Sequence, residues 1–340
     1  MGFVHKKRIL AIDSEEINTK GADARQKILS KKWSALELRA QERREGKAPT
    51  SRKQRLKAKA QNETVRNDVI DDESKKVNNP IGENIKLSTK FISDDTDLGE
   101  IIESHYPDFS NKMGMMGLHT CGNLAPSSIK IFFATMSAKF LCNVGCCYHG
   151  LEEEFYRNPY LKENEESRLT PGFPMSDILK ERKYWLGRNA RILASQPLGR
   201  LADNKNLPSH SLIWRAILQV LMLQVKPDLS FHDQQVGRIA AKSSNFIDYV
   251  HRAFKKLSLD LPYSDEYILE FYNSYQPKYQ QKLNCFYQIR SLFAPIVEGI
   301  IMLDRLLFIS QNPSVKSSRI VRLFKPSISP RCYAIVASKA

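Results

Sequence analysis

Residues Met116–Gly150 read MGLHTCGNLAPSSIKIFFATMSAKFLCNVGCCYHG. Two short apolar runs, Met113–Leu118 and Phe140–Val144, each lead into a knot of Gly, Cys and His. Between them, Pro126–Met136 carries Ile129, Ile131, Phe132, Phe133 and Met136, a spacing that suits a helix lying on a sheet. Strand, helix and second strand make a βαβ unit with parallel strands. Open α/β sheets bind ligands beyond the carboxyl ends of their strands. Both knots, His119-Thr120-Cys121-Gly122-Asn123 and Gly145-Cys146-Cys147-Tyr148-His149, fall at such ends. The pattern therefore predicts one rim lined with polar, nucleophilic and metal-capable side chains.

Outward from this stretch, the 340 residues and 42% apolar content suffice for one large domain or two moderate ones. Six cysteines in a chain of this length do not form a disulfide scaffold, and the adjacent pair Cys146-Cys147 is poorly placed to bridge. Thiols in a reducing compartment, cytoplasmic or nuclear, are the expectation. Cys142 and Cys285 read as core filler. The formal net charge is +15, and it is uneven. Between Lys20 and Lys59 stand 14 Lys and Arg against Asp23, Glu37, Glu42 and Glu45. This is a footprint for RNA or another polyanion, or else a solvated arm. No secretory signal opens the chain. The apolar segment Leu292–Ile309 carries Glu298, Asp304 and Arg305, which makes it a buried helix and not a membrane span.

Ile9–Asp13 reads as a strand ending in an acid, with Ser14 as the N-cap of a following helix. Such an acid commonly takes the ribose hydroxyls of a nucleotide, and its plainer role is a turn or cap. The usual glycine-rich turn upstream is absent: only Gly2 precedes it. A basic helical segment spans 14–63, with Ile28, Leu29, Trp33, Leu36 and Leu38 as its apolar side, and a flexible insert spans 64–84. Lys86–Ser93 alternates as a strand, and Asp94-Asp95-Thr96-Asp97 opens a helix; these acids hydrogen-bond an adenine ring or cap.

Beyond the knots, helices are expected at Leu151–Asn158, Leu186–Ala194, Ser211–Val225, Ser244–Leu257 and Ser264–Tyr275, with Ser176 as an N-cap. A long helix Pro277–Ile309 is kinked by Pro295, its Glu298 and Asp304 pairing with Arg290 or Arg305. Arg319–Phe324 and Cys332–Ser338 form a closing antiparallel hairpin.

The paired motifs Gly117-Leu118-His119-Thr120-Cys121-Gly122-Asn123-Leu124-Ala125 and Val144-Gly145-Cys146-Cys147-Tyr148 resemble the methyltransferase-like protein 25 family. The nearest branch is the one called ribosomal RNA adenine dimethylase domain-containing protein 1. Phe173-Pro174-Met175-Ser176, Ala294-Pro295-Ile296-Val297-Glu298, Leu303-Asp304-Arg305 and Ser329-Pro330-Arg331 match as well.

The resemblance implies an α/β class I methyltransferase-like, Rossmann-like fold. Its sheet is mostly parallel and closes with the terminal hairpin. Residues 85–158 form the core, 159–310 a helical elaboration and 319–340 the hairpin. The first strand and its glycine-rich loop are missing, so the chain reads as truncated at its N-terminus and impaired as an enzyme. S-adenosylmethionine is the implied cofactor, held by Asp13, Ser14, Asp94, Asp95, His119 and Gly122. His119, Cys121, Asn123, Cys146, Cys147, Tyr148 and His149 surround the methyl acceptor, with His119 or His149 as a base if one is needed. The acceptor motif is not of the Asn/Asp-Pro-Pro-Tyr type, so the branch's name says nothing about adenine. Two other readings stand beside this one. One is a zinc or redox site at His119, Cys121, Cys146, Cys147 and His149, whose spacing departs from CxxC. The other is a non-catalytic RNA-binding protein using Lys20–Lys59.

Overall fold

The computed structural model describes residues 7–46, 84–109, 112–156, 170–196, 210–227, 236 and 239–340. The insert read at 64–84 and most of the polar loop at 159–174 lie outside these residues. The chain divides into two compact units, Met1–Asn111 and Lys112–Ala340.

In the first unit, β1 (Ile9–Asp13) pairs in parallel with β2 (Ile85–Thr89), Asp13 standing opposite Thr89. Helix α1 (Glu16–Arg44) follows β1, and α2 (Leu98–His105) follows β2. Tyr106 ties the start of both strands, its hydroxyl lying 3.0 Å from the carbonyls of Ile9 and Asn84. Three expectations are corrected. Ser14 is not the N-cap of α1: Glu15 holds that place, and Asp13 Oδ1 accepts from the Glu15 amide at 2.9 Å and from Asn18 Nδ2 at 3.1 Å. The strand read to Ser93 ends at Thr89, opposite the last residue of its partner β1, and Asp97, not Asp94 or Asp95, caps α2 through the amides of Gly99 and Glu100. Ile28, Leu29 and Leu36 on α1 are exposed. Two five-residue strands offer too little surface to cover that side of a 29-residue helix.

The second unit holds four strands in the order β3-β4-β6-β5. β3 (Met113–Cys121), α3 (Leu124–Ala134) and β4 (Ala138–Cys146) are the expected βαβ unit with parallel strands. β6 (Tyr333–Lys339) lies antiparallel to both β4 and β5 (Val315–Arg322), which is the expected closing hairpin. Among the described residues β3 is hydrogen-bonded on one side only, and its Met116 and Leu118 are exposed. Ile129 and Phe132 of α3 pack with Leu141, Ile335 and Ala337 of the sheet.

Between β4 and β5 run short helices α4 (Asp177–Glu181) and α5 (Arg188–Ala194), then α6 (His210–Val225), α7 (Phe246–Lys256), α8 (Asp265–Leu292) and α9 (Ala294–Ser310). α6, α7 and α8 bury a core of their own around Trp214, Leu221, Tyr249, Phe254 and Ile268. Ser264 caps α8 as its position in the sequence indicates.

Two readings fail here. Leu151–Asn158 is not helical where described; Glu153 instead bridges to Phe173, pulled in by a buried ion pair described below. Pro295 does not kink a helix. It sits in the first turn of α9, where an amide proton is not needed, and the helix preceding it has already ended at Leu292. No helix among the described residues is long and apolar enough to cross a membrane.

Candidate active site

The rim at the carboxyl ends of β3 and β4 is shaped by one irregularity. Gly117 stands opposite Asn143, but Thr120 stands opposite Gly145, so β3 carries one residue more than β4 over this span. A bulge of this kind re-aims side chains and is over-represented next to active sites. It exposes Leu118 and His119 in succession and turns Thr120 inward. The buried Thr120 hydroxyl lies 2.8 Å from Asn143 Oδ1 and 2.9 Å from the Val144 carbonyl. Past the bulge, Cys121 stands directly opposite Cys146.

Three sulfurs converge there. Cys121 Sγ lies 2.9 Å from Cys146 Sγ and 3.4 Å from Cys147 Sγ. Cys147 adopts φ 49°, ψ 49°, a left-handed conformation uncommon for any residue with a Cβ. All six cysteines are free thiols. Burial first, then the neighbouring sulfurs, pushes the Cys146 thiol far up; burial also raises Cys121. Cys142 is raised by burial alone, in keeping with a filler role.

The backbone around the sulfurs is close-packed. Gly122, at φ +52°, donates its amide to the Cys146 carbonyl at 3.1 Å. A Cβ there would stand 2.5 Å from the Gly150 carbonyl oxygen. A Cβ on Gly145 would stand 2.6 Å from Arg305 Nη1.

The other predicted residues take structural parts. Asn123 is buried; its Oδ1 accepts from the Glu152 amide at 2.9 Å and its Nδ2 donates to the Thr170 carbonyl at 3.3 Å. Tyr148 is 1% exposed and donates to Glu298 Oε1 at 2.9 Å, with the guanidiniums of Arg305 and Arg331 on its ring at 5.8 and 5.6 Å. Its proton is held far above the usual phenol range, by burial first and then by Glu298. Burial likewise raises the Glu298 carboxyl, against the lowering by Tyr148 and Arg331. His119 and His149 are exposed, and the His149 carbonyl takes Arg191 Nη1 at 2.9 Å.

Among the described residues no ion pair joins Glu298 or Asp304 to Arg290 or Arg305, the expected partners; Glu298 Oε1 instead lies 3.7 Å from Arg331 Nη1. Asp304 accepts from the Met175 amide, the Ser176 amide and the Ser176 hydroxyl at 2.8, 2.8 and 2.6 Å, fixing the Phe173–Ser176 turn. Arg305 is 2% exposed and its Nε has no hydrogen-bond partner.

Sequence reading missed the pair beneath the rim. Glu153 and Arg191 are both buried and meet at 2.5 Å. Glu153 also accepts from the amides of Leu186 and Gly187. Nothing local announces a pair 38 residues apart: Glu153 is the middle of three consecutive acids, Glu152–Glu154, a run that reads as solvated surface.

The four first-unit and two second-unit residues expected to hold a cofactor are placed as follows. Asp13 ends β1, half-buried, and both of its hydrogen bonds use Oδ1. Ser14 follows it, exposed. Asp95 Oδ1 accepts from the Ser93 hydroxyl, and Asp94 lies in the same turn. His119 and Gly122 lie on the second unit's rim.

Residues 2–154 match the family model described as a methyltransferase domain. The fold is that of a class I methyltransferase-like sheet. The chain is similar to the probable methyltransferase-like protein 25 of mouse, 41% identical over 255 residues, and to that of human, 41% identical over 254. Each alignment covers 74% of this chain and 40% of the relative, so the chain spans about two fifths of the length of the curated relatives it matches. No solved structure matches. The matched domain implies S-adenosylmethionine as methyl donor. A carboxylate at the tip of β1 is the acceptor a ribose diol requires, and Asp13 fits that part. No glycine-rich loop lies among these 340 residues to cradle the methionine part.

Proposed function

We propose that this chain is the acceptor-side portion of an S-adenosylmethionine-dependent methyltransferase, of the branch called ribosomal RNA adenine dimethylase domain-containing protein 1. The observation that carries the reading is the methyltransferase-domain match over 2–154, which takes in the parallel βαβ unit of β3, α3 and β4. In methyl transfer the protein mainly positions donor and acceptor in line and keeps the site dry. Asp13 holds the ribose. His119, exposed on the bulge, faces the acceptor and takes its proton where one must leave.

Calorimetry with S-adenosylmethionine tests it, on this chain and on one extended upstream. Binding by the extended chain alone, abolished by Asp13→Ala, is the expected result. Failure of both chains to bind would end the cofactor reading. Methyl transfer by the 340-residue chain on its own would refute the claim that it is impaired.

A second reading concerns RNA. In the described part of the basic segment Lys20, Arg25, Lys27, Lys32, Arg39, Arg43 and Arg44 are exposed, and Lys20 and Lys27 pair with Glu16 and Asp23 one turn before them. RNA contacts through phosphates make log affinity fall linearly with log salt, by about 0.7 per contact on single strands. A salt-independent affinity would exclude this use of the segment.

A further inference from the structure

We propose that Cys121, Cys146 and Cys147 form a binding site for a soft metal ion, zinc in the first instance. This does not rest on the methyltransferase reading. The three ligand atoms lie within 4.8 Å of one another. Three separate structural features bring them there. The bulge in β3 shifts the register so that Cys121 faces Cys146 across the parallel pair. The left-handed turn at Cys147 brings the sulfur of the next residue within 3.4 Å of Cys121, although adjacent residues leaving a strand ordinarily diverge. The absence of a Cβ at Gly122 lets the Gly150 backbone close over the same corner. Strain in a non-glycine residue persists where the surroundings impose it, and it clusters at ligand sites.

The geometry suits the ion. Zn–S bonds of about 2.3 Å in a tetrahedron hold sulfurs about 3.8 Å apart. Separations of 2.9 and 3.4 Å open to that value with sub-ångström movement of side chains. Binding releases the thiol protons: three Cys–SH and Zn²⁺ give a trithiolate complex of net charge −1 and three protons. Arg305, a buried cation against Gly145 and so one residue from Cys146, stands where that charge is offset. Three protein ligands leave the fourth tetrahedral position to a solvent or substrate atom, the arrangement of catalytic and not of closed structural zinc sites. A disulfide between Cys121 and Cys146 would use two of these sulfurs and leave the strained third without a role.

The test uses the full chain, reduced, loaded with zinc alone and dialysed, with metal measured by mass spectrometry. About one zinc per chain is expected, with at least tenfold weaker retention in Cys121→Ser and in Cys147→Ser. Cys285→Ser, exposed on α8, should keep its zinc. Cobalt substitution should give sulfur-to-metal charge-transfer absorption that falls in each site variant. Should the variants unfold, thiol titration of the unaltered chain decides instead: zinc should protect three of the six cysteines from an aromatic disulfide reagent. Failure to retain zinc, equal retention by Cys121→Ser, or a Cys121–Cys146 disulfide in the metal-free chain at a reducing glutathione potential would overturn the proposal.

Discussion

Gly122 is the residue on which the rim turns. Its φ of +52° lies where residues with a Cβ pay roughly 1–2 kcal/mol, and its Cβ would press on backbone, which cannot rotate away. Gly122→Ala should cost about 2–4 kcal/mol once overpacking is added. Urea denaturation of the two proteins side by side measures it; a loss under about 1 kcal/mol would mean that the corner relaxes freely. Glu298 gives a second prediction. Burial raises its carboxyl above the ordinary 4.5, so the folded chain keeps the proton longer than the unfolded one. The unfolded state then binds fewer protons, and stability falls as pH climbs from 4.5 through the folded value. Glu298→Gln keeps an acceptor for the Tyr148 hydroxyl and should flatten that part of the stability curve. An unchanged slope would place the titration elsewhere. At this scale the motif cysteines were legible in the sequence because Gly, Cys and His at two strand ends have few other reasons to recur. Their convergence was not. It depends on one extra residue in β3, and a periodicity of two cannot show a bulge that leaves both Leu118 and His119 outside.

At the scale of elements, boundaries follow rules where a cap or a proline acts locally, as at Ser264 and in the antiparallel hairpin of β5 and β6. They fail where a distant partner decides. The helix expected at Leu151–Asn158 is lost, as far as residues are described, to Arg191, whose guanidinium reaches Glu153 and the His149 and Leu151 carbonyls. Of the apolar side assigned to α1, Ile28, Leu29 and Leu36 are exposed. Pro295 was given the wrong element because the end of α8 at Leu292 leaves no mark of its own in the sequence. The helical elaboration has a core separate from the sheet's, built on Tyr249, Phe254 and Ile268. Phe254→Ala should therefore lower the stability of α6, α7 and α8 by about 3–5 kcal/mol. Hydrogen exchange should show those helices opening while α3 and β4 stay protected. Loss of protection in β4 to the same extent would mean that the two cores unfold as one.

For the whole molecule, the βαβ unit and the closing hairpin were legible in the residues, the class I methyltransferase-like fold was what the family resemblance implied, and the methyltransferase-domain match agrees with it. Which strand neighbours which remained beyond sequence reading, since pairing is a property of the assembled sheet. The two-unit division also has no local signature. Of the charge of +15, the largest share visible in sequence lies on α1 and the residues after it. Truncating the chain to begin at Lys112 should sharply reduce RNA retention while leaving zinc retention intact, and gel-shift and metal assays on one preparation read both. Equal RNA retention would move the basic surface to the second unit.

The outer side of β3 has a consequence of its own. A strand bonded on one side presents a row of amides and carbonyls at the repeat of any other strand, and nature ordinarily guards such a row with lysine, proline or a covering segment. From Met113 to Leu118 this one carries methionine, glycine and leucine only. It is a template, and it does not distinguish a strand of its own protein from the same strand of a second copy. The working life of the purified chain is then set by how often molecules meet. Light scattering should grow faster than linearly with concentration, and a Lys introduced at Met116, whose side chain already points to solvent, should suppress it.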